Sequence, residues 1–413
     1  MTFEKLVKNW VNEIQSLKET MLINQIVNTK QLQEVEKSYN EFIKTRCKVE
    51  EETANSLKFA IPDSVYSEFY EKRNELNKLI VATNVLPRMY IVTLICQYDA
   101  LIGNLVKLVL LKQTELLNNS EKTMSFQQLM NYEKMEDVKE FIIEKEIESI
   151  LRESHDEQLK WFEKKLNIKL HEDKELIKKF LEITERRNLF THNNAKVNES
   201  YITNCRKMNI ETTAKIGDIL EVDPKYYENS VNCVIEIGTK LAIILWRHLY
   251  KDDYEKSEIV LNQIAYGLIY DYNYELAEKL LDFALNSFKP FKASSNKLMI
   301  TLNKAQCMLW EGKETEVKNL LDEQDWSLCT PQFLLCKNVL ERNFDIALEI
   351  LQTKDTELSQ SDLLSWPIFK ELREKENFKN YMNEKYPNSI EEHMEENSNK
   401  LELAEQQLAE NIS

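Results

Sequence analysis

Apolar residues recur at helical spacing from the start of the chain. Phe3, Leu6, Val7, Trp10, Ile14, Leu17 and Met21 fall mostly three or four positions apart, which lines them along one buried face of a helix. A second stripe, Leu32, Val35, Tyr39, Phe42 and Ile43, predicts a second long helix antiparallel to the first. A third is predicted over about 64–84. Pro62 and Pro87 punctuate this stretch. Residues 1–87 therefore read as an N-terminal helical arm, either coiled-coil-like or packed onto the next domain.

The next section, 88–251, opens with a strongly apolar helix predicted over 90–111 that includes Gln97, Tyr98 and Asp99. Such a helix is buried on most sides. Ser125-Phe126-Gln127-Gln128 and Ser154-His155-Asp156-Glu157 carry the capping-box pattern and mark helix starts. Further helices are predicted over 137–151, 173–192 and 226–250. Between the last two lies a polar stretch, 193–225, with Gly217 and Pro224. It is long for a structureless connection, so it is expected to hold a short helix or to cover a site.

The third section, 252–387, carries a weak internal repeat. Asn273-Tyr274-Glu275-Leu276-Ala277 returns as Asn343-Phe344-Asp345-Ile346-Ala347, with the alanines 70 residues apart. Gly312-Lys313-Glu314-Thr315-Glu316-Val317 falls between them, and Ala265 and Ala305 sit twelve residues before Ala277 and Val317. This pattern resembles a tetratricopeptide-like array of about three helix-turn-helix units. Its spacing drifts and most of the large aromatics of that family are missing. Trp366-Pro367 and the helix beyond it would cap the array. The fold class expected for the whole chain is all-α.

Composition agrees with a helical chain: among 413 residues there are only 5 Gly and 7 Pro. The net charge of −16, from 54 basic and 70 acidic residues, argues against broad non-specific nucleic-acid binding, yet it allows a small basic cleft. Residues 388–413 carry seven Glu and one Lys and read as an acidic tail. Seven scattered cysteines without a Cys-x-x-Cys pair suggest reduced thiols, small buried groups in a cytoplasmic protein. No zinc pattern, cofactor motif or secretory leader is recognised. The longest apolar runs, 89–96 and 241–246, are short for a membrane span, so no membrane association is expected.

The chemistry-bearing stretch is Arg187-Asn188-Leu189-Phe190-Thr191-His192, preceded by Arg186 and followed by Asn193-Asn194. Arginine holds phosphate through a charged fork, and histidine moves protons near neutral pH. Five residues on an ideal helix turn through about 140°, so Arg187 and His192 do not share a face. A joint site then needs the helix to end near Thr191, turning the histidine inward, or two copies meeting across a two-fold axis. The bland alternative is that Arg187 pairs with Glu182 or Glu185 and His192 caps the helix. Elsewhere, His155 at a helix start is expected to be exposed, and His171 and His393 have no evident partners in sequence. Gln97 and Asp99 need a core hydrogen bond or a solvent-facing position, and bracing the motif helix is a further option.

With these residues in view, the central section resembles a HEPN domain (higher eukaryotes and prokaryotes nucleotide-binding). Ribonucleases of that family carry Arg, four to six residues, then His, often with a polar residue after the Arg; Arg187 to His192, with Asn188 in the polar slot, fits. The run Asn193-Asn194-Ala195-Lys196-Val197-Asn198 leading to Tyr201, and the apolar opening helix, are similar to the family's as well. The resemblance implies an all-helical homodimer with Arg187 and His192 as catalytic residues. Asn188, Arg186 and Asn193 would support or orient the phosphate. The substrate would be RNA, tRNA among the candidates, cleaved without metal through the neighbouring 2′-hydroxyl. A role as a toxin or antiviral effector, regulated through a protein partner at the C-terminal repeats, is part of the same expectation. Other members of the family bind RNA or partners without cutting. A non-catalytic dimeric scaffold is therefore the competing expectation.

Overall fold

The computed structural model describes residues 2–53, 56–119 and 124–387; the acidic tail at 388–413 lies outside them. It is mostly helical, 77% helix and 3% strand, with 17 α-helices among the described residues. The described residues divide into two compact units, one up to Lys251 and one from Asp252 onward.

The first unit is organised by two very long helices. α1 (Phe3–Arg46) begins at a Thr2 cap whose side chain accepts from the Lys5 amide. The two apolar stripes expected on separate helices lie on this one helix. Met21 and Leu32 are eleven residues apart, three helical turns, so the stripes share a phase, and no Gly or Pro interrupts the span between them. The chain reverses through a hairpin the sequence did not suggest, β1 (Lys48–Thr53) and β2 (Ser56–Ala60), antiparallel with a bulge between Val49 and Glu51. Leu57 and Phe59 of β2 pack on a small core of Phe42, Ile43, Val65 and Phe69.

α2 (Tyr66–Lys112) then runs back along α1 with Pro87 inside it. The expected boundary at Pro87 is therefore absent, and the helices expected over 64–84 and 90–111 are one. Proline removes one helical hydrogen bond, but α1 runs alongside, and its Asn24 Nδ2 donates to Tyr90 Oη one turn after Pro87.

Four helices lead to the motif: α3 (Phe126–Leu129), α4 (Met135–Leu151), α5 (His155–Leu166) and α6 (Lys174–His192), the last of which carries it. Both predicted caps form. Ser125 and Gln128 bond reciprocally, and the Ser154 hydroxyl accepts from the Glu157 amide. The stretch 193–225 does contain a short helix, α7 (Glu199–Lys207), and α8 (Pro224–Leu249) closes the unit. α8 is enclosed on most sides: Val231, Val234, Ile235, Leu241, Ala242, Ile243 and Leu245 are all buried. Its Gly238 is required by contact, because a Cβ there would overlap the indole ring of Trp10.

The second unit contains three helical hairpins: α9 (Tyr254–Tyr270) with α10 (Tyr274–Ser287), α11 (Ser294–Trp310) with α12 (Glu314–Asp322), and α13 (Pro331–Leu340) with α14 (Phe344–Thr353). All three turns are alike. Tyr272, Gly312 and Arg342 are left-handed, and the amide after each reaches back five residues, Asn273 to Leu268, Lys313 to Met308 and Asn343 to Asn338. That is the Schellman closure. Ala265, Ala277, Ala305 and Ala347 are fully buried, as small residues must be where two helices approach closely. α15 (Gln360–Ser365), α16 (Lys370–Arg373) and α17 (Glu376–Lys385) follow, with Phe369, Leu372, Phe378 and Met382 joining the core of the preceding hairpins.

Candidate functional site

The motif lies on the last turns of α6. Asp173 caps this helix at its start, its side chain accepting from the Leu176 amide, and Leu176, Ile177, Phe180, Leu181, Ile183, Thr184 and Leu189 form its buried face. His192 is the last helical residue and Asn193 the cap, whose amide donates to Leu189 O at 2.8 Å. The helix thus continues through the whole motif. Arg187 and His192 keep the separation of about 140° that an unbroken helix imposes, and they point apart within one chain. His192 is exposed, and among the described residues it makes no hydrogen bond or ion pair.

Arg187 is half-buried and faces α2. Its Nη2 donates to Asp99 Oδ2 at 3.4 Å, while its Nε is buried without a hydrogen-bond partner. Asp99 is shared: its Oδ1 lies 3.0 Å from Nε2 of His155. A carboxylate only accepts, so this ring nitrogen carries the proton. His155 is not the exposed residue expected at a helix start. It is 8% exposed and lies against the rings of Tyr98 and Phe180. The first residue of α5 points inward because the helix lays that side on α2 and α6. Burial, with the Asp99 charge second, pushes the Tyr98 phenol far above its ordinary pKa, and its hydroxyl has no hydrogen-bond partner. The structure therefore joins Arg187, Asp99 and His155 into one chain of polar contacts across α6, α2 and α5. Asp99 takes the bracing position over the motif helix, whereas Gln97 contributes its backbone carbonyl, which accepts from Trp10 Nε1 at 3.1 Å.

The expected helpers divide. Arg186 is occupied. Its Nε donates to Glu182 Oε1 at 2.9 Å, its Nη1 to the Glu221 carbonyl at 3.3 Å, and its guanidinium lies 3.9 Å from the centre of the Tyr226 ring. Glu182 also accepts from Tyr201 Oη at 3.0 Å and Tyr226 Oη at 2.8 Å. This closed cluster holds α6, α7 and α8 together and leaves Arg186 no free edge for a phosphate. Asn193 is likewise structural, its Nδ2 donating to Lys196 O at 2.5 Å. Asn188, half-buried, makes no side-chain hydrogen bond among the described residues and remains available.

The turn after the motif is pinned from outside. Asn194 and Ala195 are both left-handed, φ 47° and 67°, a conformation that costs a non-glycine residue roughly 1–2 kcal/mol. The Ala195 amide reaches Leu189 O, and Leu220 N donates to Ala195 O at 2.9 Å. The Val197 amide donates to Asp218 O and the Gly217 amide to Val197 O, and Leu189, Val197, Tyr201 and Cys205 bury a small core beneath the turn. The long polar stretch thus fixes the exit of the motif helix. Among the described residues no group of three or more His, Cys, Asp or Glu is placed to hold a metal ion.

Comparison with protein-family models, with curated proteins and with solved structures finds no match to this chain.

Proposed function

We propose that the protein is a HEPN-type, metal-independent endoribonuclease that acts as a homodimer. The observation that carries this is the state of the two motif side chains: Arg187 is held by one long contact and keeps donors unpaired, while His192 is presented to solvent at the very end of α6. With the helix unbroken, one chain does not bring them together, so the reading requires a second copy to complete the cleft. There the 2′-hydroxyl attacks the adjacent phosphorus and the 5′-oxygen leaves. His192 moves the proton, and Arg187 and Asn188 bind the phosphate oxygens. The products are a 2′,3′-cyclic phosphate and a 5′-hydroxyl.

A second reading is favoured by the same contacts taken at face value. Arg187 paired with Asp99, Arg186 enclosed by Glu182 and Tyr226, and a net charge of −16 describe a scaffold whose motif is structural and whose helical hairpins dock a protein partner. Incubation of RNA, tRNA included, with the protein in EDTA separates the two. Cleavage that falls at least a hundredfold in His192→Ala and Arg187→Ala supports the nuclease. Equal rates for wild type and His192→Ala, or intact RNA at high protein concentration, leaves the scaffold.

A further inference from the structure

The two carboxylates expected beside Arg187 are engaged elsewhere. Glu182 is closed into the cluster with Arg186, Tyr201 and Tyr226, and Glu185 Oε2 accepts from Asn204 Nδ2 at 3.0 Å. The carboxylate that meets Arg187 is Asp99 of α2, and the contact differs from a structural ion pair in three ways. It is 3.4 Å long and made through one nitrogen, whereas a strong arginine–carboxylate bond is about 2.7–2.9 Å and often bidentate. It lies where solvent enters, with the Asp99 side chain 29% exposed and that of Arg187 20%. Finally, the carboxylate is fixed from its inner side, by His155 Nε2 at 3.0 Å, on a side chain only 9% exposed.

The support under Asp99 is rigid. Ile95, Tyr98, Leu101 and Ile102, its neighbours on α2, are all buried, and the His155 ring lies against Tyr98 and Phe180. A titratable group oriented by a buried partner and open on its other side has the form of a general base with its orienting residue. A carboxylate offers about four acceptor positions. The contacts to Arg187 and His155 use two, and the others are left for a substrate hydroxyl.

Cutting RNA through its 2′-hydroxyl needs two proton-moving groups. The attacking and departing oxygens stand roughly in line on opposite sides of phosphorus, so one group accepts a proton in one place while another donates one elsewhere. His192 supplies one of them. We infer that Asp99 is the other: it is the general base of the reaction, held in position by His155. The inference rests on the ribonuclease reading. The Asp99 carboxylate takes the proton of the 2′-hydroxyl as the 2′-oxygen bonds to phosphorus. The bond from phosphorus to the 5′-oxygen breaks, and that oxygen takes a proton from His192. Arg187, beside Asp99, holds the non-bridging oxygens. Water then removes the proton from Asp99 and returns one to His192.

The test uses the full chain and a mixed-sequence RNA oligonucleotide in EDTA. Wild type, Asp99→Asn, Asp99→Ala and Arg187→Ala are compared for kcat and KM near neutral pH, with circular dichroism melts to show that each is folded at the assay temperature. Asp99→Asn keeps the shape of the side chain and an oxygen for the His155 N–H, but not the base. Its kcat should fall at least about a hundredfold, while KM stays within about threefold of wild type. Arg187→Ala should raise KM as well. Added formate should restore part of the cleavage to Asp99→Ala, where a small carboxylate can take the vacated place, and none to Arg187→Ala. With an active wild type, a smaller loss of kcat in Asp99→Asn, a loss confined to KM, or a folded Asp99→Ala that formate does not rescue overturns the inference and leaves the nuclease standing. An Asp99→Asn protein that cleaves faster than wild type also overturns it, and makes the carboxylate an occupant of the anion site at Arg187. A wild type that leaves RNA intact removes the nuclease reading and the inference together.

Discussion

Replacing Asp99 with alanine tests whether this carboxylate sets the position of Arg187. Two contacts are lost, one at 3.0 Å to His155 Nε2 and one at 3.4 Å to Arg187 Nη2. The imidazole side chain is 9% exposed, and leaving so buried a donor unpaired costs about 1–3 kcal/mol. The arginine contact is longer and reaches solvent more freely, and it contributes about 0–1 kcal/mol. Together they span about 1–4 kcal/mol, centred on about 2.5 kcal/mol. At about 2–4 °C per kcal/mol for a unit of this size, thermal unfolding of Asp99→Ala should fall by about 5–10 °C. Asp99→Asn keeps an oxygen for the imidazole N–H but loses the charge, so it should fall by about half as much. The pairing is read from a double-mutant cycle with Arg187→Ala, in which a coupling of about 0.5–1 kcal/mol is expected. An Asp99→Ala protein that melts within about 1 °C of wild type, or single substitutions that add without coupling, would refute the assigned contacts.

Two further predictions come from outside the motif. Gly238→Ala gains about 1 kcal/mol of helix propensity, but its Cβ overlaps the Trp10 indole, which is buried and tied to the Gln97 carbonyl. A net loss of about 2 kcal/mol in urea unfolding is expected from overpacking, relieved in part by Trp10→Phe; a neutral or stabilising Gly238→Ala would contradict the α1–α8 contact. At the α5–α6 junction, His171 lies between Asp156, at 3.2 Å, and Glu163, at 2.9 Å. Burial opposes both carboxylate charges. Hydrogen bonds from Lys160 and His171 to Asp156, and from the Leu170 and His171 amides and the His171 side chain to Glu163, outweigh it and hold both pKa values below their ordinary range. Carboxylates depressed in the folded state stabilise it above their unfolded pKa, near 4, and lose that contribution as pH falls below it. The stability gap between wild type and an Asp156→Asn/Glu163→Gln variant should be full at about pH 6 and close progressively below about pH 4. A gap independent of pH would show that these contacts carry no net charge effect.

The helices were legible because their signals are local. Periodic apolar positions, the Ser125 and Ser154 caps and the scarcity of Gly and Pro each act within a few residues. The errors come from the same locality. Proline at 87 reads as a stop when α1 cannot be seen lying along it. Lys48-Val49-Glu50-Glu51-Glu52-Thr53 has too many charges to read as a strand, although it pairs with Ser56–Ala60. The hairpins of the second unit were legible through a short recurring pattern, Asn273 to Ala277 and Asn343 to Ala347 with Gly312 to Val317 between them, which spans only a turn and the start of its second helix.

The site exposes the limit most clearly. Arg187, Asn188 and His192 could be placed on a helix and even assigned their angular separation, since that follows from α-helical geometry alone. What each side chain faces could not be assigned. Arg187 meets a carboxylate 88 residues away, His155 meets the same carboxylate 56 residues away, and Arg186 is enclosed by Tyr226 from α8. Asp99 carried one usable signal, a charge on a helix too apolar to leave it unpaired. That signal requires a partner without naming it. The motif's function turns on this point. An arginine that keeps donors unpaired beside one long contact to a distant aspartate can take a further ligand, whereas an arginine enclosed on every edge, as Arg186 is, would be a strut. The difference lies in residues far from the motif along the chain, and the six motif residues carry no information about it.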